Sequence, residues 1–341
     1  MNEFGIIDSF FKKNYELKNH KFLSKKNFVG IGDDAAVLAL KENIPLVVSS
    51  DMLVEKTHFS PQTDAFSVGY KTLAVNLSDL AAMGADPVCF TLSVNIPKID
   101  LTWLKDFSDG LFFLSSKYSC PLIGGDTVSS FNNPNKVFSV TIIGCISSGS
   151  SLRRELAEVD DDVWLSGDLG EPATALKYNK KSIKLFRPNP RIELGKKLIG
   201  IANSAIDISD GLSSELGHIA KASAIKQNKK ISIEIYFDYL KNFLISFMKN
   251  SYKNETDILK LCKIAASSGD EYELCFTAAI TERKRIVSIG KELGLNLTRI
   301  GKVVLEDEKY KFRNLNNSNR VVWLKNDECV LEKCYLPNYG Y

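Results

Sequence analysis

Short apolar runs that end in Gly, Ser or Asp alternate along this chain with longer segments whose apolar residues recur every three to four positions. The first pattern is that of strands, the second that of amphipathic helices. Strands are expected over Pro45–Ser49, Val88–Val94, Pro121–Gly124, Val137–Ile146, Val163–Ser166, Ile231–Ile235, Glu273–Thr277 and Leu297–Val304. Helices are expected over Val68–Met83, Leu101–Tyr118, Pro172–Tyr178, Arg191–Ile201, Gly211–Ala224 and Thr281–Leu293. An alternation sustained over the whole length predicts a mixed α/β (or α+β) fold. With 341 residues the chain suits two domains. The charged stretch Ser151–Asp162 reads as a surface connection and sets the expected boundary, 1–150 against 151–341. The Lys/Asn-rich segments Lys226–Lys230 and Asn314–Asn319 read as exposed loops, and no internal repeat is found.

Composition removes several classes of function. Lys and Arg number 44 against 41 Asp and Glu, a net charge of only +3 that is spread along the chain. Neither nucleic acid nor an anionic membrane is expected as a partner. The longest mostly apolar stretch, Val137–Ile146, is far below the roughly 18–20 residues of a spanning helix. The first residues carry Glu3 and Asp8 without a basic-then-apolar signal, so a cytoplasmic location is expected. Seven Cys, none spaced CxxC and three of them (Cys89, Cys145, Cys275) in apolar runs, read as reduced thiols. Three His and no HExxH exclude zinc hydrolase chemistry.

The informative residues are aspartates and the company they keep. Gly30–Val37 sets two carboxylates on a glycine turn, and Leu46–Asp51 ends an apolar run in two hydroxyls and an acid. Asp79 lies within an apolar helical stretch, Ala74–Gly84. Pro121–Asp126 and Ser204–Gly211 repeat the strand-to-Asp ending, and Ser267–Leu274 reverses it. Any one such Asp reads as a cap or turn residue. Several at strand ends facing one crevice would repel one another unless cations sat between them. Oxygen donors with little His or Cys select a hard ion, which makes magnesium with a phosphate substrate the alternative reading. The pattern alone leaves both open.

Other motifs carry less. Gly30-Ile-Gly-Asp-Asp-Ala35 matches GxGxxA, but two carboxylates stand where a pyrophosphate would lie. No P-loop motif and no GxSxG elbow occur. Gly167-Asp-Leu-Gly170 reads equally as a phosphate cradle or as a plain strand-to-helix turn.

The segments GIGDDAAV, SSDMLVEKTHF, YKTLAVNLSDLAAMGADP, LIGGDT, RPNPR, SAIDISDGLSSELGHI and SGDEYEL, in this order, resemble the thiamine-monophosphate kinase family. Its superfamily includes aminoimidazole ribonucleotide synthetase and selenophosphate synthetase. The match runs from about Gly30 to the C-terminus. The resemblance implies a two-domain synthetase-like fold: an N-terminal domain of sheet and helices that dimerises, a C-terminal α/β domain, and ATP in the cleft. It implies phosphorylation of thiamine monophosphate to thiamine diphosphate with ATP as co-substrate and several Mg²⁺ ions. Carried over by position, metal ligands fall on Asp34, Ser49, Ser50, Asp51, Asp79, Asp126, Asp207 and Asp210. ATP contacts fall on Gly125, Asp126, Arg154 and Ser209, and substrate contacts on His58, Asp270 and Tyr341.

Three departures stand out. Ser49-Ser50-Asp51 replaces a family Ser-Thr-Asp and keeps the hydroxyl. Ser268-Gly-Asp-Glu-Tyr-Glu273 swaps two acids of the family pattern, so either Asp270 or Glu271 meets the substrate. The usual aromatic C-terminal ending is cut to Gly340-Tyr341. Two alternatives within the resemblance are a synthetase-type enzyme using ATP on another acceptor and a non-catalytic nucleotide-binding maturation partner. Selenophosphate synthetase is disfavoured, because the first Cys is Cys89.

Overall fold

A computed structural model describes residues 3–12, 21–23, 31, 36, 44–130, 132, 134–147, 149–178, 182–236, 265–305, 321–325 and 328–331. The chain divides into two compact units, one of residues 1–80 and 85–148, the other of 81–84 and 149–339.

The first unit begins with α1 (Glu3–Ile6) and a π-helical turn, Ile7–Phe11. It continues through β1 (Leu46–Val54), α2 (Ala65–Met83), β2 (Asp86–Asn95), α3 (Leu101–Lys117), β3 (Leu122–Val128) and β4 (Val137–Cys145). The strands form one sheet in the order β1-β4-β2-β3, with only β2 and β3 parallel. Alternation along β4 sets its two faces apart: Phe138, Val140 and Ile142 are buried, Ser139, Thr141 and Ile143 half-buried. The buried face takes the helices. Phe107 and Trp103 of α3 stack on Phe138, with centroids 4.5 and 5.9 Å away. Asp100 caps α3 by accepting from the N–H groups of Thr102 and Trp103, both at 3.0 Å, a cap of about 1 kcal/mol. Helices α2 and α3 touch backbone to backbone, since a Cβ on Gly69 would lie 1.9 Å from the Phe107 carbonyl and one on Gly110 1.9 Å from that of Phe66. The opposite sheet face carries exposed Val48 and Met52.

The second unit holds β5 (Asp162–Ser166), α4 (Glu171–Tyr178), α5 (Ile183–Phe186), α6 (Ile192–Leu198), β6 (Ala202–Asp207) and α7 (Leu212–Gln227). After them come β7 (Ile231–Tyr236), β8 (Leu274–Ala278), α8 (Arg283–Leu293), β9 (Leu297–Leu305), β10 (Val321–Lys325) and β11 (Glu328–Leu331). Its sheet runs β11-β10-β7-β9-β5-β8-β6, antiparallel except for β7 with β10. Leu212, Leu216, Ile219 and Ala220 of α7, at helical spacing, join Leu165, Ile206, Ile233 and Trp323 in one core.

The mixed α/β expectation holds, while two details differ. Strands β10 and β11 are additional to the expected runs, and β6, expected only as the short run from Ser204 into Asp207, starts two residues earlier at Ala202. In β6 the polar Asn203 and Ser204 break the apolar signal; they are satisfied by Asp161 and by Thr277, whose hydroxyl is 2.8 Å from that of Ser204. Strands β1 and β3 also run past their expected ends, so Ser49–Asp51 and Asp126 are strand-interior residues. Hydroxyls and acids are tolerated there because both strands are sheet edges. Cys89, Cys120, Cys145 and Cys275 are buried free thiols, and burial pushes Cys89 up to about 12.

Candidate active site

In the first unit the site grows from β1 and α2. Successive side chains of β1 point to opposite faces, so Ser49 and Asp51 turn toward the helices while Ser50 turns away. Ser49 Oγ donates to the carboxylate of Asp79, which α2 carries. The backbone N–H of Asp51 donates to Asn76 Oδ1 at 3.1 Å, and Asn76 Nδ2 in turn donates to the Thr72 carbonyl at 3.1 Å. Burial, and then the charge and hydrogen bond of Asp79, push the Asp51 carboxyl up to about 6. Two carboxylates and a hydroxyl held this close are an oxygen-only donor set, and a divalent hard cation relieves their repulsion. The donor set fits magnesium.

Ser50 and Asp126 stand elsewhere. Ser50 Oγ donates to the Val140 carbonyl (2.9 Å) and accepts from Thr141 Oγ1 (3.2 Å) on the open face. Asp126 is exposed on β3, opposite Ser93 and at the far edge of the sheet. Three strand spacings separate the two edges, about 14 Å. The GGD pattern has a steric reason, because a Cβ on Gly125 would lie 1.8 Å from the Leu92 carbonyl. Among the described residues no three His, Cys, Asp or Glu side chains form a metal-holding group. Asp34 and Tyr341 lie outside the described residues.

His58 sits in a turn after β1. Its Nδ1 accepts from the Val54 N–H at 3.0 Å, so a neutral ring carries its proton on Nε2. Lys71 of α2, 2% exposed, supports the turn by donating to the His58 carbonyl at 3.4 Å.

In the second unit, the ladder of β6 with β8 continues past the strand ends. Ile208 N–H donates to the Glu273 carbonyl, Tyr272 N–H to that of Ile208 and Asp270 N–H to that of Ser209, each at 2.8 Å. The segments 208–211 and 268–273 are thereby zipped together. Two glycines permit it: a Cβ on Gly269 would lie 2.4 Å from the Ser209 carbonyl, and one on Gly211, at φ +118°, 2.8 Å from the Ser267 carbonyl carbon. Asp207 is buried at the end of β6, while Ser209 and Asp210 are exposed beyond it. Glu215, in the first turn of α7, accepts from Asp210 N–H at 3.1 Å and from Ser209 Oγ at 3.4 Å. Burial pushes its carboxyl up to about 7 against the pull of that N–H and of the nearby Arg154 charge.

Beneath Asp270 lies a charge cluster. Lys184 Nζ is 2.9 Å from Glu271 and 3.3 Å from Glu273, and Arg191 grips Glu273 with Nε and Nη2 at 2.7 and 2.6 Å. Glu271 also accepts from Gly170 N–H (2.5 Å) and Ser268 Oγ (3.0 Å), and Glu273 from Ser166 Oγ (2.5 Å). Burial pushes Glu271 up, with Lys184 and these donors pulling against it. A Cβ on Gly167 would fall 2.3 Å from Glu273 Oε1. The Gly167–Gly170 turn thus already holds an internal carboxylate, which decides between its two readings in favour of the plain turn.

Residues 32–146 match the family described as AIR synthase related protein, N-terminal domain. A thiamine-monophosphate kinase of Buchnera aphidicola subsp. Schizaphis graminum is 37% identical over 338 residues, 95% of this chain and 97% of that relative. The chain belongs to the thiamine-monophosphate kinase family. The crystal structure of the Stenotrophomonas maltophilia K279a thiamine-monophosphate kinase is similar with a TM-score of 0.74 at 36% identity, covering 89% of this chain and 92% of that one. The AaThiL structure, complexed with AMPPCP and TMP, gives 0.67 at 25% identity, covering 86% and 88%.

Within this kinase-family chain the structure joins Ser49, Asp51 and Asp79 in one unit, and Arg154, Ser209, Asp210 and Asp270 around one loop pair in the other. Sequence reasoning left Asn76, Lys184, Arg191, Glu215 and Glu273 without a role. The signal for the last was present: acids two apart, Glu271 and Glu273, run straight into the apolar β8 and demand buried cations.

Proposed function

We propose that this chain transfers the γ-phosphoryl group of ATP directly to the phosphate of thiamine monophosphate, giving thiamine diphosphate and ADP. Its kinship with kinases of that name supports the substrates, and the Asp51–Asp79 pair carries the metal-dependent chemistry. The acceptor is a phosphate monoester whose second pKa is near 6, so its oxygen is largely anionic at neutral pH and needs no strong base. The obstacle is electrostatic: two unit charges at 4 Å cost about 4 kcal/mol at an effective dielectric near 20, and several meet here. Magnesium, if held by these carboxylates, would offset this repulsion and stabilise the charge that develops during transfer. Asp34, Ser49, Ser50, Asp51, Asp79, Asp126, Asp207 and Asp210 would hold the ions. Gly125, Asp126, Arg154 and Ser209 bind the nucleotide, Arg154 by a fork suited to phosphate. His58 offers Nε2–H to a substrate oxygen, and Tyr341 an aromatic face to the thiamine rings. Of the two acids left open by the sequence, Asp270 is the substrate contact, because Glu271 is committed to Lys184 and Gly170.

The working form is a homodimer in the cytoplasm. The open sheet face, with Val48 62% and Met52 54% exposed, is an apolar surface for a second copy. A two-fold axis parallel to the strands sets the β3 edge of one copy against the β1 edge of the other, bringing Asp126 to the edge strand that carries Ser50 on the shared face and Asp51 on the other.

Incubation with ATP, Mg²⁺ and thiamine monophosphate is expected to yield thiamine diphosphate and ADP. Release of free phosphate instead points to a synthetase-type reaction, and no turnover to a docking role. Asp51→Asn and Asp126→Asn subunits, each inactive alone, should regain about a quarter of wild-type activity when co-assembled, since half the dimers then hold one intact site of two. No regain from mixed dimers refutes the cross-copy arrangement.

A further inference from the structure

We propose that Tyr272 is a positioning residue that aims the Asp270 carboxylate at the cationic part of thiamine monophosphate. The proposal rests on the reading of Asp270 as a substrate contact. Tyr272 Oη donates to Asp270 Oδ1 at 3.1 Å. The two residues flank Glu271, and both have left-handed backbones, with φ of +61° at Asp270 and +50° at Tyr272. Neither is glycine, so each conformation is costly and persists only where its surroundings over-determine it. Here they do. The N–H groups of Asp270 and Tyr272 are bound to Ser209 and Ile208, both at 2.8 Å. Glu271 between them is pinned by Lys184, Gly170 and Ser268, and Glu273 after them by Arg191 and Ser166. What the strained turn delivers is the Tyr272–Asp270 hydrogen bond, placed beside Ser209 and Asp210.

Packing accounts for the ring but not for the hydroxyl. Tyr272 is 9% exposed, so its ring is fixed and its oxygen is a rigid anchor, whereas Asp270 is half-buried and its carboxylate needs orienting. The donor is neutral. It sets the plane of the carboxylate without cancelling its charge, unlike Lys184 and Arg191, which neutralise the two glutamates. A carboxylate held in one orientation by a neutral donor is suited to a cationic ring, and the thiazolium of the substrate is one.

The test is steady-state kinetics on Tyr272→Phe, Asp270→Asn and the double variant, with thiamine monophosphate and ATP varied separately. Tyr272→Phe keeps the ring and its packing. It should raise KM for thiamine monophosphate about tenfold, the loss of one hydrogen bond to a charged group, while kcat and KM for ATP stay within about twofold. The double variant should be no worse than Asp270→Asn alone. An unchanged KM in Tyr272→Phe beside a raised KM in Asp270→Asn overturns the role of Tyr272 only, as does full multiplication of the two effects. A parallel rise in KM for ATP marks a general disturbance of the fold and also overturns it. An unchanged KM in Asp270→Asn overturns the substrate contact itself, and the proposal with it.

Discussion

The two units treat clustered acids in opposite ways. In the first, Asp51 is set against Asp79, and burial together with that neighbour pushes it up to about 6. In the second, Glu271 and Glu273 are almost fully buried yet matched by Lys184 and Arg191 from the same unit. A carboxylate that brings its own cation is part of the scaffold; carboxylates pressed on each other are, on the proposed reading, where a cation binds. The distinction separates acids by partner and not by burial, since the more deeply buried pair is the structural one.

The sharpest way to break this contrast is to remove one member of each set. Asp51→Asn and Asp126→Asn should each cost turnover on the order of a thousandfold while the protein remains folded. Near wild-type rates in either, measured at saturating Mg²⁺ and ATP, would remove that residue from the metal set. Lys184→Met should act the other way, with its main effect on stability. Two glutamates would be left around a missing charge, and breaking such a buried pair costs about 3–5 kcal/mol. Replacing both partners, Lys184→Met with Glu271→Met, should recover part of that loss, because no uncompensated charge then remains at Glu271. Chemical denaturation midpoints read both; a Lys184→Met protein as stable as wild type would reduce the cluster to a surface-type ion pair.

How far these roles were legible in the sequence follows from the range of the deciding contact. Asp79 was legible because a charge in an apolar helix announces itself locally. Ser49-Ser50-Asp51 was legible as a donor run, but not as residues on two faces of a strand that continues to Val54. That depends on pairing with β4, some ninety residues on. The Gly167–Gly170 turn stayed ambiguous because the carboxylates that fill it, Glu271 and Glu273, are more than a hundred residues away. The expectation of acids at strand ends facing one crevice came from parallel sheets. Both sheets here are mainly antiparallel, and Asp51 and Asp126 sit inside edge strands instead.

The smallest expected effect sharpens the comparison most, because it concerns stability alone. Asp51 has a folded pKa of about 6 against an ordinary value of 3.8, so the folded protein binds more protons than the unfolded chain between those values. The contribution of Asp51 to stability is therefore fully present below about pH 4 and is lost as pH rises through about 6. In EDTA the wild type should lose more stability over that window than Asp51→Asn, which cannot ionise at this position and keeps only the titration it shares with wild type, that of Glu215 among others. At pH 8 the variant should be the more stable by about 1–2 kcal/mol, discounted for the partial exposure of the site, and at pH 4 the two should coincide. Added Mg²⁺ should reverse the order at pH 8, because binding stabilises only the protein that keeps both carboxylates. Thermal unfolding curves at the two pH values, with and without the ion, decide the matter. A variant less stable than wild type in EDTA at pH 8 would mean that Asp51 is held as comfortably as Glu271, and the contrast between the two units would be lost.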